Sequence, residues 1–286
     1  MRKLPSEPTG ERLLRSEDIA AALTLSAQAG WNQTEDDWQT LLDLAPDSCW
    51  GIELDGTLAA TTTLLCYGRR LGWIGMVLTS QKHRRRGLAK TLLAKVLAQA
   101  DKMAVQTIKL DATEQGLPLY KQFGFHAEQE IERWSRPADA HVKDAHVKNA
   151  HAKSEPVHHK DDGAWRQSDA AVFAANRTRL LERLASRNVP ISYSQSYLFF
   201  RKGRVTTHLG PCVSETSITA RSLVEEAVQS SRSGWSWDLL PRNGEAVALA
   251  RDLGFSPQRH LVRMTRGRDL RANDDRIFAT AGFELG

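Results

Sequence analysis

The sequence predicts two mixed α/β domains joined by a charged segment, and three observations carry that expectation. Strand-like runs bounded by glycine turns alternate with helical runs in both halves of the chain. One plan also recurs: IKLDATEQGLPLYKQFGFHAEQEIERW and WSWDLLPRNGEAVALARDLGFSPQRHLVRM each read as a strand ending in Asp111 or Asp238, a helix, a Gly-Phe pair (Gly124-Phe125 or Gly254-Phe255) and another strand. Between the halves, DAHVK, DAHVK and NAHAK follow one another from Asp139 to Lys153. That stretch has too few large apolar side chains to offset its own ordering entropy. The expected boundaries are 1–135, a His-rich linker at 136–164, and 165–286.

The elements follow in order. AGWNQTEDDW (Ala29 to Trp38) sits between two helical stretches. Ser48 to Gly68 holds two strand-like runs split by Asp55-Gly56, a hairpin signal. Leu71 to Ser80 is a third strand, and the helix that follows Gly87 places Leu88, Leu92 and Val96 on one core-facing stripe. Thr107 to Thr113 reads as a strand, Leu117 to Phe125 as a short helix closed by Gly124, and His126 to Trp134 as a last strand. In the second half LGPCVSETSITA leads into a helix expected to start near Ala220, and the apolar IFATAGF predicts a docked last strand.

Composition narrows the function. The 286 residues are 41% hydrophobic and 26% charged, with no apolar run near the roughly 18 residues of a membrane span. Met1 to Leu14 is charged and carries Pro5 and Pro8, unlike a secretory signal, so a cytoplasmic location and no membrane partner are expected. Cys49, Cys66 and Cys212 are scattered and odd in number, which suggests neither disulfides nor a zinc site. His141, His146 and His151 recur in steps of five, about 140° apart on a helix, so they share no face, and with His158 and His159 they read as a solvated linker without a metal. A net charge of +5 is mild for a nucleic-acid binder, and a small polyphosphate accounts for a local basic cluster equally well.

That cluster is HRRRGLAKTLLAKVLAQA, His83 to Ala100. Cations are unfavourable at a helix N-terminus, so Arg84, Arg85 and Arg86 there call for an anion. The helix start offers unpaired N–H groups, Gly87 allows close approach, and Ala89 keeps the next turn small. Arg-x-x-Gly-x-Ala after the strand WIGMVLTS, with Asp111 ending the next strand and Tyr120 four residues ahead of Gly124-Phe125, resembles the acetyl-CoA signature of the GNAT superfamily of N-acetyltransferases. The whole chain is similar to tandem GNAT proteins, in which a divergent GNAT-like domain follows a first.

The resemblance implies two domains, each a mixed, mainly antiparallel sheet flanked by helices. It implies acetyl-CoA as cosubstrate, with the backbone of Leu78 and Thr79 along the pantetheine arm. The pyrophosphate would lie on Arg84, Arg85, Arg86, Gly87, Leu88 and Ala89. Tyr120 would protonate the departing thiolate, a step open to a phenol within hydrogen-bond reach. The general base stays open among Asp111, Glu114, His83 and a water relay, with Asp111 a candidate catalytic residue. In the acceptor region, Trp31, Asn32, Asp37 and Trp38 have two readings. They form an aromatic and acidic wall for a protonated amine, or Thr34 caps a helix with acids in its first turn and Trp38 packs. Glu284 is a weaker acceptor candidate.

The second half lacks the arginine loop and has Ala250 where the first has Tyr120, so it is not expected to bind CoA. The expected activity is acetyl transfer to a primary amine of a small molecule by direct attack. The alternative is a non-catalytic sensor of acyl-CoA or another small ligand, and a homodimer is compatible with either.

Overall fold

The computed structural model describes residues 10–138 and 163–286. The DAHVK repeats, His158 and His159 lie outside the described residues. In chain order the elements are β1 (Gly10–Leu13), α1 (Ile19–Gln28), α2 (Glu35–Leu44), β2 (Cys49–Leu54), β3 (Thr57–Tyr67), β4 (Leu71–Thr79), α3 (Leu88–Lys102), β5 (Thr107–Ala112), α4 (Leu117–Gln122) and β6 (His126–Arg136). They continue with α5 (Ala164–Phe173), α6 (Thr178–Ala185), β7 (Ile191–Tyr193), β8 (Ser196–Lys202), β9 (Thr207–Val213), α7 (Ser217–Gln229), β10 (Trp235–Leu239), α8 (Gly244–Asp252), β11 (Ser256–Gly267) and β12 (Ile277–Ala279).

Two compact units result, and they are not the contiguous segments expected from the sequence. The first takes the described residues up to Gln129 together with Leu261–Leu270 and Phe283–Gly286, and the second takes the described residues from Glu130 to His260 with Arg271–Gly282. Each unit therefore uses a strand from the other half of the sequence. Both repeats end in a similar strand, and nothing local to such a strand specifies which sheet it completes.

In the first unit β1, β2, β3 and β4 form an antiparallel meander, β4 pairs in parallel with β5, and β11 adds antiparallel to β5. The β2–β3 hairpin turns through Asp55 and Gly56, at φ 51° and 68°. Those angles are the type I′ pair that Asp-Gly favours. Apolar residues of α3 at steps of three and four, Leu93, Val96, Leu97 and Ala100, pack with Leu64, Ile74, Ile108 and Leu110 of the sheet.

The second unit repeats the plan: β7, β8 and β9 are antiparallel, β9 is parallel to β10, and β10 is antiparallel to β6. Its core gathers Leu223, Val224 and Ala227 of α7 with Trp235, Trp237 and Leu239 of β10. The helix expected near Ala220 begins earlier, at Ser217, where the Thr216 hydroxyl accepts from Thr219 N and caps it. The docked strand predicted at IFATAGF is β12, antiparallel to β9. No described helix is long and apolar enough to cross a membrane.

Candidate active site

Strands β4 and β5 share a register only over Leu71, Gly72 and Trp73 against Thr107, Ile108 and Lys109. Both strands continue past that point without pairing, so a wedge opens between them. A bulge deepens it. Thr61 faces Leu78 and Thr63 faces Gly75, which leaves one extra residue on β4, and Met76 adopts φ 50°. The Thr61 hydroxyl holds the Met76 carbonyl at 2.8 Å. Ser80 N donates to Ala59 O, and by the alternation of an antiparallel ladder Leu78 pairs with Thr61 while Thr79 turns its N–H and C=O to the open edge. Of the two residues expected along the pantetheine arm, only Thr79 has backbone groups directed that way.

Past β4 a short 3-10 turn, Gln81–His83, leads into the arginine loop. Arg85 and Gly87 take φ 62° and 83°, and Gly87 is the N-cap of α3. Gly87 supplies no capping side chain, and among the described residues none of the amides from Arg85 to Lys90 has a hydrogen-bond acceptor. Arg84, Arg85 and Arg86 are exposed, and among the described residues the one contact these guanidiniums make is Arg84 Nε to Thr79 O at 3.5 Å. Gly87 also lines a groove of about 640 Å³ with Glu11, Lys90, Thr91, Ala94, Lys95 and Phe123. Six open amides and three cations without a counter-charge among the described residues have the chemistry that suits an anion.

Tyr120 lies on α4, just beyond β5. Its side chain belongs to the apolar cluster that also holds Ile74 of β4 and Leu110 and Ala112 of β5, and its ring meets Phe125 edge-on at 6.2 Å. Its hydroxyl has no hydrogen-bond partner among the described residues, and burial pushes the phenol pKa well above its ordinary value. A neutral, unengaged donor thus sits in a cluster that takes in residues of both β4 and β5.

Asp111 requires a correction. Alternation puts Leu110 and Ala112 in the core with α3, so Asp111 points to the opposite face, where Arg263 Nε and Nη2 hold its two oxygens at 2.9 and 3.0 Å. Arg263 lies over the Trp73 ring at 4.7 Å. A fully buried carboxylate with both oxygens held by a guanidinium is a structural ion pair and is not placed to take a substrate proton. Arg263→Gln is expected to cost about 3–5 kcal/mol, because Asp111 keeps its burial and loses its counter-charge. A urea midpoint equal to that of the unsubstituted protein would contradict this. His83 is also buried, with Nδ1 on Ser80 Oγ at 2.9 Å, and Glu114 is exposed.

In the acceptor region the helix-capping reading describes Asp37 and Trp38. Thr34 Oγ1 accepts from Asp37 N while Asp37 Oδ2 accepts from Thr34 N at 2.8 Å, a capping box. Trp38 is fully buried and donates to Ser26 Oγ at 3.1 Å, so it packs α1 on α2 and lines no cleft. Trp31 and Asn32 are half-buried in the loop before α2. The residue the sequence did not single out is Gln33, whose Nε2 donates to the buried Glu284 carboxylate at 3.0 Å while its Oε1 is buried without a partner among the described residues. Glu284 lies against β4 beside the bulge, so close that a Cβ on Gly75 would come within 2.9 Å of its carbonyl oxygen. Trp73 Nε1 donates to Phe283 O at 2.9 Å and Tyr67 to Leu285 O, which fixes this segment on the sheet.

Residues 17–125 match the acetyltransferase (GNAT) family, and residues 166–279 match a second acetyltransferase (GNAT) domain model. The chain belongs to the GNAT family of acetyltransferases, as a tandem protein. Its relative YitH of Bacillus subtilis, an "Uncharacterized N-acetyltransferase", is 28% identical over 60% of this chain, and the match spans 59% of the relative's length. The fold is that of the "Putative Acetyltransferase" of Pyrococcus horikoshii, with TM-score 0.80 and 19% identity over 100% of this chain and 99% of that one. It is also that of a tandem GNAT protein from the clavulanic acid biosynthesis pathway, with TM-score 0.66 and 15% identity over 91% and 98% of the two chains.

Proposed function

We propose that the first unit of this GNAT protein transfers an acetyl group from acetyl-CoA to a primary amine of a small molecule. The observation that carries the reading is the unbroken run of open amides from Arg85 to Lys90 beside Arg84, Arg85 and Arg86, next to the splay of β4 and β5 where Thr79 turns its backbone outward. The diphosphate of CoA suits the first feature and the amide-bearing pantetheine arm the second. The amine attacks the thioester carbonyl, the C–S bond breaks, Tyr120 gives its phenolic proton to the departing thiolate, and the proton that the acylated nitrogen sheds returns through solvent to the phenolate. In this reading Glu284, which Gln33 holds beside the bulge, orients the ammonium group of the acceptor and takes up its proton.

The second unit is not expected to hold the same ligand. Its β9–β10 pairing also stops early, after Thr207, His208 and Leu209. There β12 fills the opening, with Ile277 and Ala279 in register with Val213 and Cys212, Trp237 Nε1 on Phe278 O at 2.7 Å, and Thr280 N on Asp238 O at 2.9 Å. The chain's own backbone takes the edge that a pantetheine arm would use. Calorimetry is therefore expected to give one acetyl-CoA per chain, and two would overturn this assignment.

A panel of small amines, polyamines, amino acids and peptide N-termini, assayed for thiol release from acetyl-CoA, tests the reaction. One strongly accelerating compound is expected. Tight acetyl-CoA binding that no amine turns into thiol release would replace the transferase with an acyl-CoA sensor.

A further inference from the structure

Glycine inside a strand weakens it, and its usual reason for being there is the close approach of another backbone. Gly75 lies within β4, immediately before the bulge residue Met76, and a Cβ on it would come within 2.9 Å of Glu284 O and 3.0 Å of Glu284 Cα. Both are main-chain atoms, which cannot swing aside as the end of a flexible side chain can. Gly75 stands opposite Thr63, and Thr63 stands opposite Cys49, whose thiol donates to Leu41 O of α2 at 3.6 Å. Directly opposed residues share a sheet face. Gly75 therefore clears a seat for Phe283–Gly286 on the α2 side of the first unit's sheet, and the segment belongs to that unit. Trp73 Nε1 on Phe283 O at 2.9 Å and the Tyr67 hydroxyl on Leu285 O clamp the residues before and after Glu284. Gly286 lies so close to the Trp73 ring that a Cβ on it would fall 2.8 Å from Cε3.

Packing alone does not call for a charge in such a seat. The neighbours of Glu284 in the segment, Phe283, Leu285 and Gly286, are apolar or lack a side chain, and an apolar residue at 284 would fill the same space without the cost of burying a carboxylate. Glu284 is nevertheless 3% exposed. Gln33, 6% exposed, turns Nε2 to Glu284 Oε2 at 3.0 Å and leaves its own Oε1 without a partner among the described residues. Flipping the amide would set Oε1 against the carboxylate, so the orphaned oxygen is the consequence of donating to Glu284. Gln33 is itself held in place, because it immediately precedes Thr34, whose capping box with Asp37 fixes the start of α2. A buried carboxylate is thus clamped from β3, β4 and the α2 entry at one point beside the bulge, and two of its supports, Gly75 and the Gln33 amide, carry a cost of their own.

We propose that Phe283–Gly286 is a strap that completes the acceptor side of the first unit, and that Gln33, Trp73 and Gly75 are positioning residues that fix the Glu284 carboxylate for the incoming amine. The inference rests on the reading of Glu284 as the group that takes up the proton of the amine. It adds that the direction of this carboxylate is set by three residues, each more than 200 positions earlier in the chain, that act on the amine only through the strap.

The test is made on the full chain with three readouts: thiol release from acetyl-CoA with benzylamine, spermidine, lysine or dialanine as acceptor, acetyl-CoA affinity by calorimetry, and hydrogen exchange of the peptide that carries Phe283–Gly286. Gln33→Met, which keeps the length of the side chain and removes the donor, is expected to lower kcat with the fastest acceptor by about tenfold or more and to leave acetyl-CoA affinity within about twofold. Gly75→Ala is expected to do the same and to speed exchange in the strap peptide while peptides of β2 and α3 keep the parent rate. Trp73→Phe, which removes only the donor to Phe283 O and the outer ring, gives the same readouts if Gly75→Ala does not fold. The exchanged pair Gln33→Glu/Glu284→Gln restores an amide–carboxylate hydrogen bond with the charge moved off the strap, so it is expected to recover the melting temperature of the parent but not its turnover. Parent turnover in Gln33→Met, turnover recovered in the exchanged pair, or acetyl-CoA affinity falling in step with kcat overturns the strap. Glu284→Gln separates the two levels. Parent turnover in that variant, or no acceleration by any of the four amines, removes the role of Glu284 and the strap with it, whereas lost turnover there beside parent turnover in Gln33→Met removes the strap alone.

Discussion

Acetyl-CoA affinity is expected to fall about a hundredfold when Arg84, Arg85 and Arg86 are replaced together by glutamine, because three exposed charge-assisted contacts of roughly 1 kcal/mol each are lost. The fold is expected to withstand the change. These guanidiniums make no ion pair among the described residues, and three cations at the start of α3 oppose the helix dipole in the absence of an anion. The melting temperature of the ligand-free variant is therefore expected to equal or slightly exceed that of the parent. Salt supplies a second readout, since fewer cations facing the diphosphate make the affinity less sensitive to ionic strength. What remains in the variant is the backbone cradle from Arg85 to Lys90, so weak binding with a flatter salt dependence is the expected residue of the site. Affinity within threefold of the parent, with unchanged circular dichroism, would remove the arginines from the account. The diphosphate would then have to be held by the amides alone.

How much of this was legible in the sequence depends on the range of the interaction that decides each feature. Local signals carried well. Asp55-Gly56 specified its turn through the positive φ those residues tolerate, Gly87 marked the start of α3, and Gly124 ended α4 at φ 81°. The Thr34 capping box is equally local, and it accounts for Asp37 without a substrate. Long-range pairing was not legible. Asp111 in a strand reads the same whether it serves as a base or answers Arg263, and only the exchange of β11 into the first unit brings that arginine beside it. Gln33 had no signal at all. A polar loop residue gains significance through burial against Glu284, and the two are 251 positions apart in the chain. The plug of the second wedge by β12 was hidden for the same reason. IFATAGF announced a docked strand, but its composition carries no mark of the gap it fills.

Tyr120→Phe is expected to lower kcat about a hundredfold with little change in acetyl-CoA affinity, the signature of a group that acts as the C–S bond breaks. The substitution suits the site. The hydroxyl has no partner among the described residues to leave orphaned, and phenylalanine keeps the edge-on contact with Phe125 and a place in the apolar cluster with Ile74 and Leu110. Stability near neutral pH should therefore change by less than about 0.5 kcal/mol. The pH dependence has a definite sign. Burial raises the phenol's pKa in the folded chain, so the folded state retains a proton that the unfolded chain begins to release near pH 10. Stability from this group is complete below that pH and declines as the pH rises from there toward the folded value, and Tyr120→Phe removes the decline. The same shift keeps the group a proton donor over the whole working range, so no loss of rate from its own ionisation is expected up to about pH 10. A Tyr120→Phe enzyme with undiminished turnover would transfer thiolate protonation to solvent, and Tyr120 would then be a packing residue of its apolar cluster.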